Sequence, residues 1–375
     1  AYIHKNRLTG AANLFTSHNI EVNSSGVANS SGNRDGVRWY EIGNLATAPS
    51  LVQSGTLFDS AASNPLNYWI PSTMVSGQGH MAIGCSVAGA TKRCEVAVAG
   101  RLSSDALGTT QAATIAQSSS TNYNAGGGNP QRWGDYSSTF VDPQDDMTMW
   151  TFQEYCNATN SWAVHVRKLI APPPASPTST SPSSMTQGQS NLNVVVTGTS
   201  ASGSGFFDPD GTFPNHISAS VSGTGVTVNS ITFTDPTHVT LNLTATAGAT
   251  LGNRNITITN PDGQSLTGTA IFSVTPVAVP TGACCNGGSC TVVTASACAS
   301  GGGTYQGDGM ACGSCPPVCA ADISPVGSPD GQVNIDDLTQ IILNWGTNNA
   351  NADINDDGIV NIDDLTAVIL AWGPC

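Results

Sequence analysis

Two stretches near the C-terminus carry oxygen-bearing side chains at intervals that suit a hard cation. In the second stretch, Asp353, Asn355, Asp357, Gly358, Ile359, Asn361 and Asp364 take positions 1, 3, 5, 6, 7, 9 and 12 of a twelve-residue loop. Alternate residues of a tight loop point inward together, so positions 1, 3 and 5 present short oxygen ligands to one centre. Glycine at position 6 allows the sharp turn that would strain a residue with a Cβ. Position 7 offers its backbone carbonyl, which makes Ile359 harmless there. Asn361 would ligate directly or through water, and Asp364 closes the shell. Hard oxygens without His or Cys select calcium over zinc or copper.

The same design occurs twice. DGQVNIDDLTQIILNWG (330–346) and DGIVNIDDLTAVILAWG (357–373) align without gaps at an offset of 27 and match at most positions. In the first copy Asp330, Gln332, Asn334 and Asp337 take positions 5, 7, 9 and 12. Asp322 precedes Asp330 by eight residues where four are expected, so Asp322 and Ser324 serve as positions 1 and 3 only if an insertion within ISPVGSP bulges out. Two Ca2+ sites are expected, the first distorted. Each loop feeds a helix: Leu338, Ile341, Ile342 and Trp345, and Leu365, Val368, Ile369 and Trp372, recur at i, i+3, i+4, i+7. Paired Asp residues at each helix start suit the positive end of the helix dipole, and Gly346 and Gly373 stop the helices.

Asp at position 12 departs from the EF-hand, which has Glu there. With helices ending in Trp-Gly, that variation resembles the dockerin family over residues 319–375. The resemblance implies a calcium-dependent helical pair and, as partner, a cohesin-like protein domain or cell-surface scaffold. Positions 10 and 11 (Ile335 and Asp336, Ile362 and Asp363) would face that partner and, matching in both copies, permit two orientations. Calcium should be structural, because without it the carboxylates repel one another around a core too small to hold. Cys319 and Cys375 bracket the module, and a bridge between them would contribute about 4 kcal/mol by the chain-entropy argument.

The elements that must position these loops follow from composition. At 375 residues the chain is long enough for several domains. Gly 41, Pro 21 and a charged fraction of only 10% indicate turn-rich β structure. A net charge of −14 argues against a nucleic-acid partner, and no apolar run is long enough for a membrane span. Residues 319–375 hold nine Asp and no Lys or Arg. Eleven cysteines, eight of them in the last quarter, suit an oxidising compartment. The chain opens AYIHKNRL without an initiator Met, and is read as processed or truncated, and extracellular or cell-surface.

The expected fold class is mainly β and multidomain. Residues 1–170 carry short strand runs such as GVRWYEIGN and HMAIGCSVAG, expected as a propeller-like or sandwich domain. Cys85 and Cys94 lie in consecutive strands, where a hairpin disulfide is plausible, and Cys156 is left over. Residues 171–187, rich in Pro, Ser and Thr, read as an extended linker holding its neighbours roughly 50 Å apart. Residues 188–276 alternate strictly between turn signals. The string GTGVTVNSITFTDPTHVTLNLTATAGATLGNRNITITNPDGQS resembles the IPT/TIG-type immunoglobulin-like family, which implies a spacer or binding sandwich. Residues 277–318 hold six cysteines and no His; a disulfide staple is favoured over a zinc site at Cys312 and Cys315.

RWGDYSSTFVDPQDDMTMWTFQEY (132–155), with GVRWYEI and HMAIGCSV upstream, resembles the last blades of a sialidase/BNR-like β-propeller. About four blades of ~40–45 residues fit 1–170, leaving an open sheet edge unless N-terminal blades are missing. The Ser-x-Asp-x-Gly-x-x-Trp box of that family is absent. Arg132, Asp135, Asp142, Asp145, Asp146 and Glu154 are read as turn and ion-pair groups, and no catalytic residue is assigned. The expected function is a secreted, modular, largely non-catalytic protein in which a β-rich recognition domain, with glycans as possible ligands, is attached through the dockerin-like module. The alternative is a polysaccharide- or sialoside-active glycoside hydrolase subunit carrying a dockerin.

Overall fold

The computed structural model describes residues 1–125, 131–286, 289–314, 319–327 and 329–375. It is mainly β, and it divides into two compact units, Ala1–Pro276 and Val277–Cys375.

The first unit begins with three antiparallel meanders. β1 (Tyr2–Lys5), β2 (Ala12–Val22), β3 (Arg34–Gly43) and β4 (Ser50–Leu57) pair in chain order. So do β5 (Asn67–Val75), β6 (Met81–Gly89), β7 (Lys92–Arg101) and β8 (Thr114–Gln117). A third sheet has β10 (Met149–Ala158) between β9 (Ser138–Val141) and β11 (Ser161–Leu169). The second sheet is the filling between the other two. On β6, Met81, Ile83, Cys85 and Val87 pack with Phe15, Val37, Trp39 and Leu57 of the first sheet. Ala82, on the opposite face, packs with Met149 of the third. Burial on both faces explains why β6 reads as a nearly continuous apolar run. Gly84 is required there, because a Cβ would lie 2.0 Å from Thr151 Oγ1 on β10. Among the described residues three meanders stand where the length allowed about four, since long connections such as 102–113 take up chain.

The expected linker is a correction. Residues 171–187 contain β12 (Ser176–Ser181) and β13 (Ser184–Thr186), with Ala175 and Met185 buried. Two four-stranded sheets form a sandwich, one ordered β12, β14 (Leu192–Thr199), β17 (His238–Ala245), β16 (Val226–Asp235). The other is ordered β13, β19 (Ser265–Thr275), β18 (Gly252–Thr259), β15 (Ser218–Val221), with β13 parallel to β19. β12 and β13 are both edge strands, where Pro removes no ladder hydrogen bond, so a Pro-rich stretch is compatible with pairing. Pro177 sits at the irregularity in the β12–β14 register, and Pro182 falls between the two strands as the chain changes sheets. The core is the strictly alternating set Val194, Val196, Val239, Leu241, Leu243, Ile256, Ile258, Phe272 and Val274.

No spacer separates the meanders from the sandwich. Asn215 N–H donates to Gln144 O at 2.9 Å, and Gln264 Nε2 donates to Ala171 O at 2.8 Å. Arg7 bonds to both Asp146 and Asp210 and lies over the Phe213 ring at 5.1 Å.

His80 sits nearby, buried, with Nδ1 accepting from Ser103 N–H at 3.0 Å. Burial pushes its pKa down to about 4, with the Arg101 charge acting the same way and Asp105 opposing. The unfolded chain therefore takes up this proton first. The contribution is complete above the ordinary value of 6.5 and is lost as pH falls towards 4. The loss amounts to at most about 3 kcal/mol. Urea midpoints measured between pH 7 and 4 should fall less steeply in His80→Asn, which keeps an acceptor for Ser103. Identical pH slopes in both proteins would exclude this origin.

The second unit opens with β20 (Gly282–Asn286), β21 (Ser289–Val293) and β22 (Thr304–Tyr305) beside a short helix, α1 (Ala295–Ser300). Disulfides Cys284–Cys298 and Cys290–Cys312 staple it, and Cys285 is also disulfide-bonded. Cys312 is therefore no zinc ligand; Cys315 lies outside the described residues. α2 (Ile335–Leu343) and α3 (Ile362–Leu370) follow, and the expected Cys319–Cys375 bridge is present. Gln332 and Val333 pair with Pro374 and Gly373, so the tail is tied to the first loop. Ala321, Val333, Ile341, Ala352, Val360 and Val368 form the core, with Leu338 and Leu365 packed against it. The helix stripes are narrower than expected. Ile342, Trp345, Ile369 and Trp372 are about half exposed, because Val333 and Val360 from the loops fill the core in their place.

Candidate metal centre

The second loop closes on its own backbone. Asp353 Oδ1 accepts from Asp357 N–H at 3.1 Å, and Oδ2 accepts from Gly358 N–H at 2.7 Å. Asp357 Oδ1 accepts from Ile359 N–H at 3.0 Å. Asp364 Oδ1 takes the N–H groups of Ile354 (2.6 Å) and Asn355 (3.2 Å), while Oδ2 takes that of Asn361 (2.9 Å). Asn361 Oδ1 caps α3 by accepting from Asp363 N–H at 2.6 Å, and its Nδ2 donates to Ile359 O at 3.1 Å.

Each of these eight bonds recurs in the first loop. Asp322 accepts from Asp330 N–H (3.3 Å) and Gly331 N–H (2.7 Å), and Asp330 from Gln332 N–H (2.9 Å). Asp337 accepts from Ile323, Ser324 and Asn334 N–H at 2.7, 2.8 and 2.8 Å. Asn334 accepts from Asp336 N–H at 2.7 Å and donates to Gln332 O at 3.4 Å. Despite the four extra residues between Ser324 and Asp330, Asp322 and Ser324 thus stand in the places of Asp353 and Asn355. Gly331 and Gly358 have φ of +81° and +93°, the left-handed turn that position 6 requires.

Positions 9 and 12 have a second role that the ligand spacing did not predict. Asn334 with Asp337, and Asn361 with Asp364, form reciprocal capping boxes on α2 and α3. The signal was in the sequence as Asn-x-x-Asp ahead of an apolar run, a variant of the capping-box pattern.

The donor set fits a hard cation in kind. Asn361 Nδ2 lies 3.1 Å from both Asp357 Oδ2 and Ile359 O, and Asn355 Nδ2 lies 3.0 Å from Asp357 Oδ2, so positions 3, 5, 7 and 9 converge. Rotating those two amides would turn oxygens towards the same point, at the expense of the bonds those oxygens accept from Asp363 and Asp357 N–H. Hydrogen bonds from Ile359 N–H and then Asn355 and Asn361 hold the Asp357 carboxyl below the usual range, so it stays ionised in mild acid. Among the described residues no three His, Cys, Asp or Glu side chains cluster as a ready-made metal site. The carboxylates point instead at backbone N–H groups.

Each loop buries two carboxylates. Asp322, Asp337, Asp353 and Asp364 are all buried. The Val277–Cys375 unit holds ten Asp and not one Lys, Arg or His. Backbone donors offset part of the cost of burying these charges, but no side chain of the unit supplies a countercharge.

The acidic residues of the first unit do not converge in this way. Asp142 accepts from Trp150 Nε1 and Gln144 N–H, and Asp145 from Met147 and Thr148 N–H, all at 2.8–2.9 Å. Asp146 is buried against Arg7 at 2.8 Å, with His4 at an ion-pair distance of 3.1 Å but not aligned as a hydrogen bond. Arg132 pairs with Asp135 at 2.7 Å in the open; with Glu154, Tyr123, Trp133 and Trp162 they line a shallow cleft of about 210 Å³. Burial, and then the Asp135 charge, raise the Glu154 pKa.

Compared with known families, with curated proteins and with solved structures, the chain matches none. No helix among the described residues is long and apolar enough to cross a membrane.

Proposed function

We propose that this chain is a secreted or cell-surface modular protein whose C-terminal module binds two calcium ions and, in that state, docks onto a cohesin-like domain or surface scaffold. The observation that carries the reading is the pair of equivalent loops burying four carboxylates in a unit without any basic side chain. Calcium is the missing countercharge, held by Asp353, Asn355, Asp357, Ile359 O, Asn361 and Asp364, and by Asp322, Ser324, Asp330, Gln332 O, Asn334 and Asp337. The docking half is supported by two matched apolar stripes, Ile335 with Ile342 and Ile362 with Ile369, each residue 54–59% exposed. Residues seven apart lie on one helix face, so each helix presents the same surface. The three stacked meanders agree with a propeller-like recognition domain. The sandwich, with its strand switch from β12 to β13, agrees with an immunoglobulin-like spacer of IPT/TIG type.

The test is binding of the full chain to a panel of immobilised cohesin-like domains in CaCl2 and in EDTA. Ile335→Asp and Ile362→Asp should each leave binding through the other helix. The double variant should lose about a hundredfold or more in affinity, the cost of removing a central apolar anchor. Absence of calcium-dependent binding to every domain of the panel would remove the docking half of the proposal and leave the calcium half standing.

A further inference from the structure

Three cysteines of the first unit are unpaired: Cys85, Cys94 and Cys156. The hairpin bridge that the sequence suggested, Cys85 to Cys94, is ruled out by the pleat. Cys85 pairs in register with Ala97 and packs with Trp39 and Val37, on the face of the second sheet turned to the first. Ala97 and Ala99 of β7 share that face, so Cys94, an odd number of residues away, points to the other one. The third sheet lies there. Beyond Tyr155 the β10–β11 register is irregular, and Cys156 is buried on the inner side of its sheet. β7 and β10 pack together there, and the two thiols are close enough for each to act on the other's titration.

We infer that Cys94 and Cys156 form a disulfide that ties β7 to β10, and so the second sheet to the third, while Cys85 stays a thiol. A chain that already carries disulfides in its other unit matures where such bonds persist. Each thiol gives up one proton and one electron as the S–S bond forms. The electron pair passes to a disulfide oxidant of the glutathione or protein-disulfide class, whose own S–S bond breaks to two thiols. Burial pushes the Cys94 thiol up to about 12 and raises that of Cys156, so few thiolates are available once the sheets have packed. Oxidation therefore belongs to folding, and the finished bond is shielded from reduction for the same reason. Sixty-one residues lie between the two cysteines, a long loop for one bond to close.

Trypsin separates the three cysteines. Cleavage after Arg93 and Arg101 isolates Cys94, cleavage after Arg132 and Arg167 isolates Cys156, and Cys85 lies between Arg38 and Lys92. The full chain is folded in a glutathione redox buffer until peptide 255–375, with the other eight cysteines, takes up no label. It is then alkylated in denaturant without reductant and digested. The expected result is one cross-linked species joining 94–101 to 133–167, which separates on reduction, with label on Cys85 alone. Label on Cys94 and Cys156, or a cross-link from Cys85 to either, overturns the assignment. A second readout is thermal. Cys156→Ser should lower the melting temperature of the first unit in the redox buffer, and excess reductant should remove the difference from wild type. A difference that survives reduction would reflect packing at Cys156, and would count against the bond.

Discussion

Replacing Arg7 by Ala should cost the Ala1–Pro276 unit about 3–5 kcal/mol, the usual result of stripping a buried charge of its partner. Asp146 is fully buried, and Arg7 Nε donates to its Oδ2 at 2.8 Å. Gly77 packs directly against the carboxylate, since a Cβ there would lie 2.3 Å from the same oxygen. The same guanidinium bonds to Asp210 and covers the Phe213 ring, so one side chain joins the meanders to the sandwich. Lys in its place should recover only part of the loss, since an ammonium lacks the planar fork that reaches two carboxylates. Arg7→Ala combined with Asp146→Asn should be less damaging than Arg7→Ala alone, because the uncompensated charge is then gone. Urea unfolding followed by Trp fluorescence reads all three variants. A change below about 1 kcal/mol for Arg7→Ala, the range of an exposed pair, would show that Asp146 finds another partner.

How far the sequence exposed these features depended on what each signal measures. Ligand spacing and glycine placement measure local backbone geometry, so the second loop was legible position by position. The first loop was legible despite its insertion, because Asp322 still accepts from Asp330 and Gly331 N–H as Asp353 does from Asp357 and Gly358. Periodicity along a helix measures which residues lie on one stripe, but not how wide a stripe the partner covers. Here Val333 and Val360 fill the space, which leaves Ile342 and Ile369 outside; apolar periodicity alone cannot separate a core residue from an exposed one on a neighbouring column.

The linker was misread for a related reason. Composition reports chain stiffness and polarity, whereas pairing depends on position in the sheet, and on an edge strand Pro177 costs nothing. Likewise a hairpin places Cys85 and Cys94 close along the chain, yet the period of two sends them to opposite faces. Long-range contacts such as Arg7 to Asp146, or Cys94 to Cys156, link residues far apart in sequence whose meeting is set by the stacking of whole sheets. No local pattern encodes them.

Removing calcium should collapse the helical signal of the C-terminal module. α2 and α3 are nine residues each, short of the ~12–15 at which an isolated helix becomes marginal. They persist only while packed, and their packing rests on six fully or nearly buried side chains. With calcium at a hundredfold its dissociation constant, each loop gains about 2.7 kcal/mol. The Cys319–Cys375 bridge adds about 4 kcal/mol by restricting the unfolded chain, but it neutralises no carboxylate. Excess EDTA on the full chain should therefore remove most of the ellipticity near 222 nm attributable to the two helices and leave the β signal in place.

The position-12 carboxylates are poor test sites, since Asp337 and Asp364 each accept three backbone N–H groups and their loss would unfold the loop by itself. Asp357→Asn and Asp330→Asn at position 5 are cleaner, because these side chains are exposed and each accepts only one backbone N–H. Calorimetric titration of CaCl2 should show two events in the wild type, with Asp357→Asn weakening one and Asp330→Asn the other. The event lost with Asp330→Asn should be the weaker, because its loop must hold a five-residue excursion where the other holds one residue. No heat on titration, together with ellipticity indifferent to chelator, would mean that the buried carboxylates are balanced by backbone donors alone. The module would then be a disulfide-stapled helical pair with no cation to complete it.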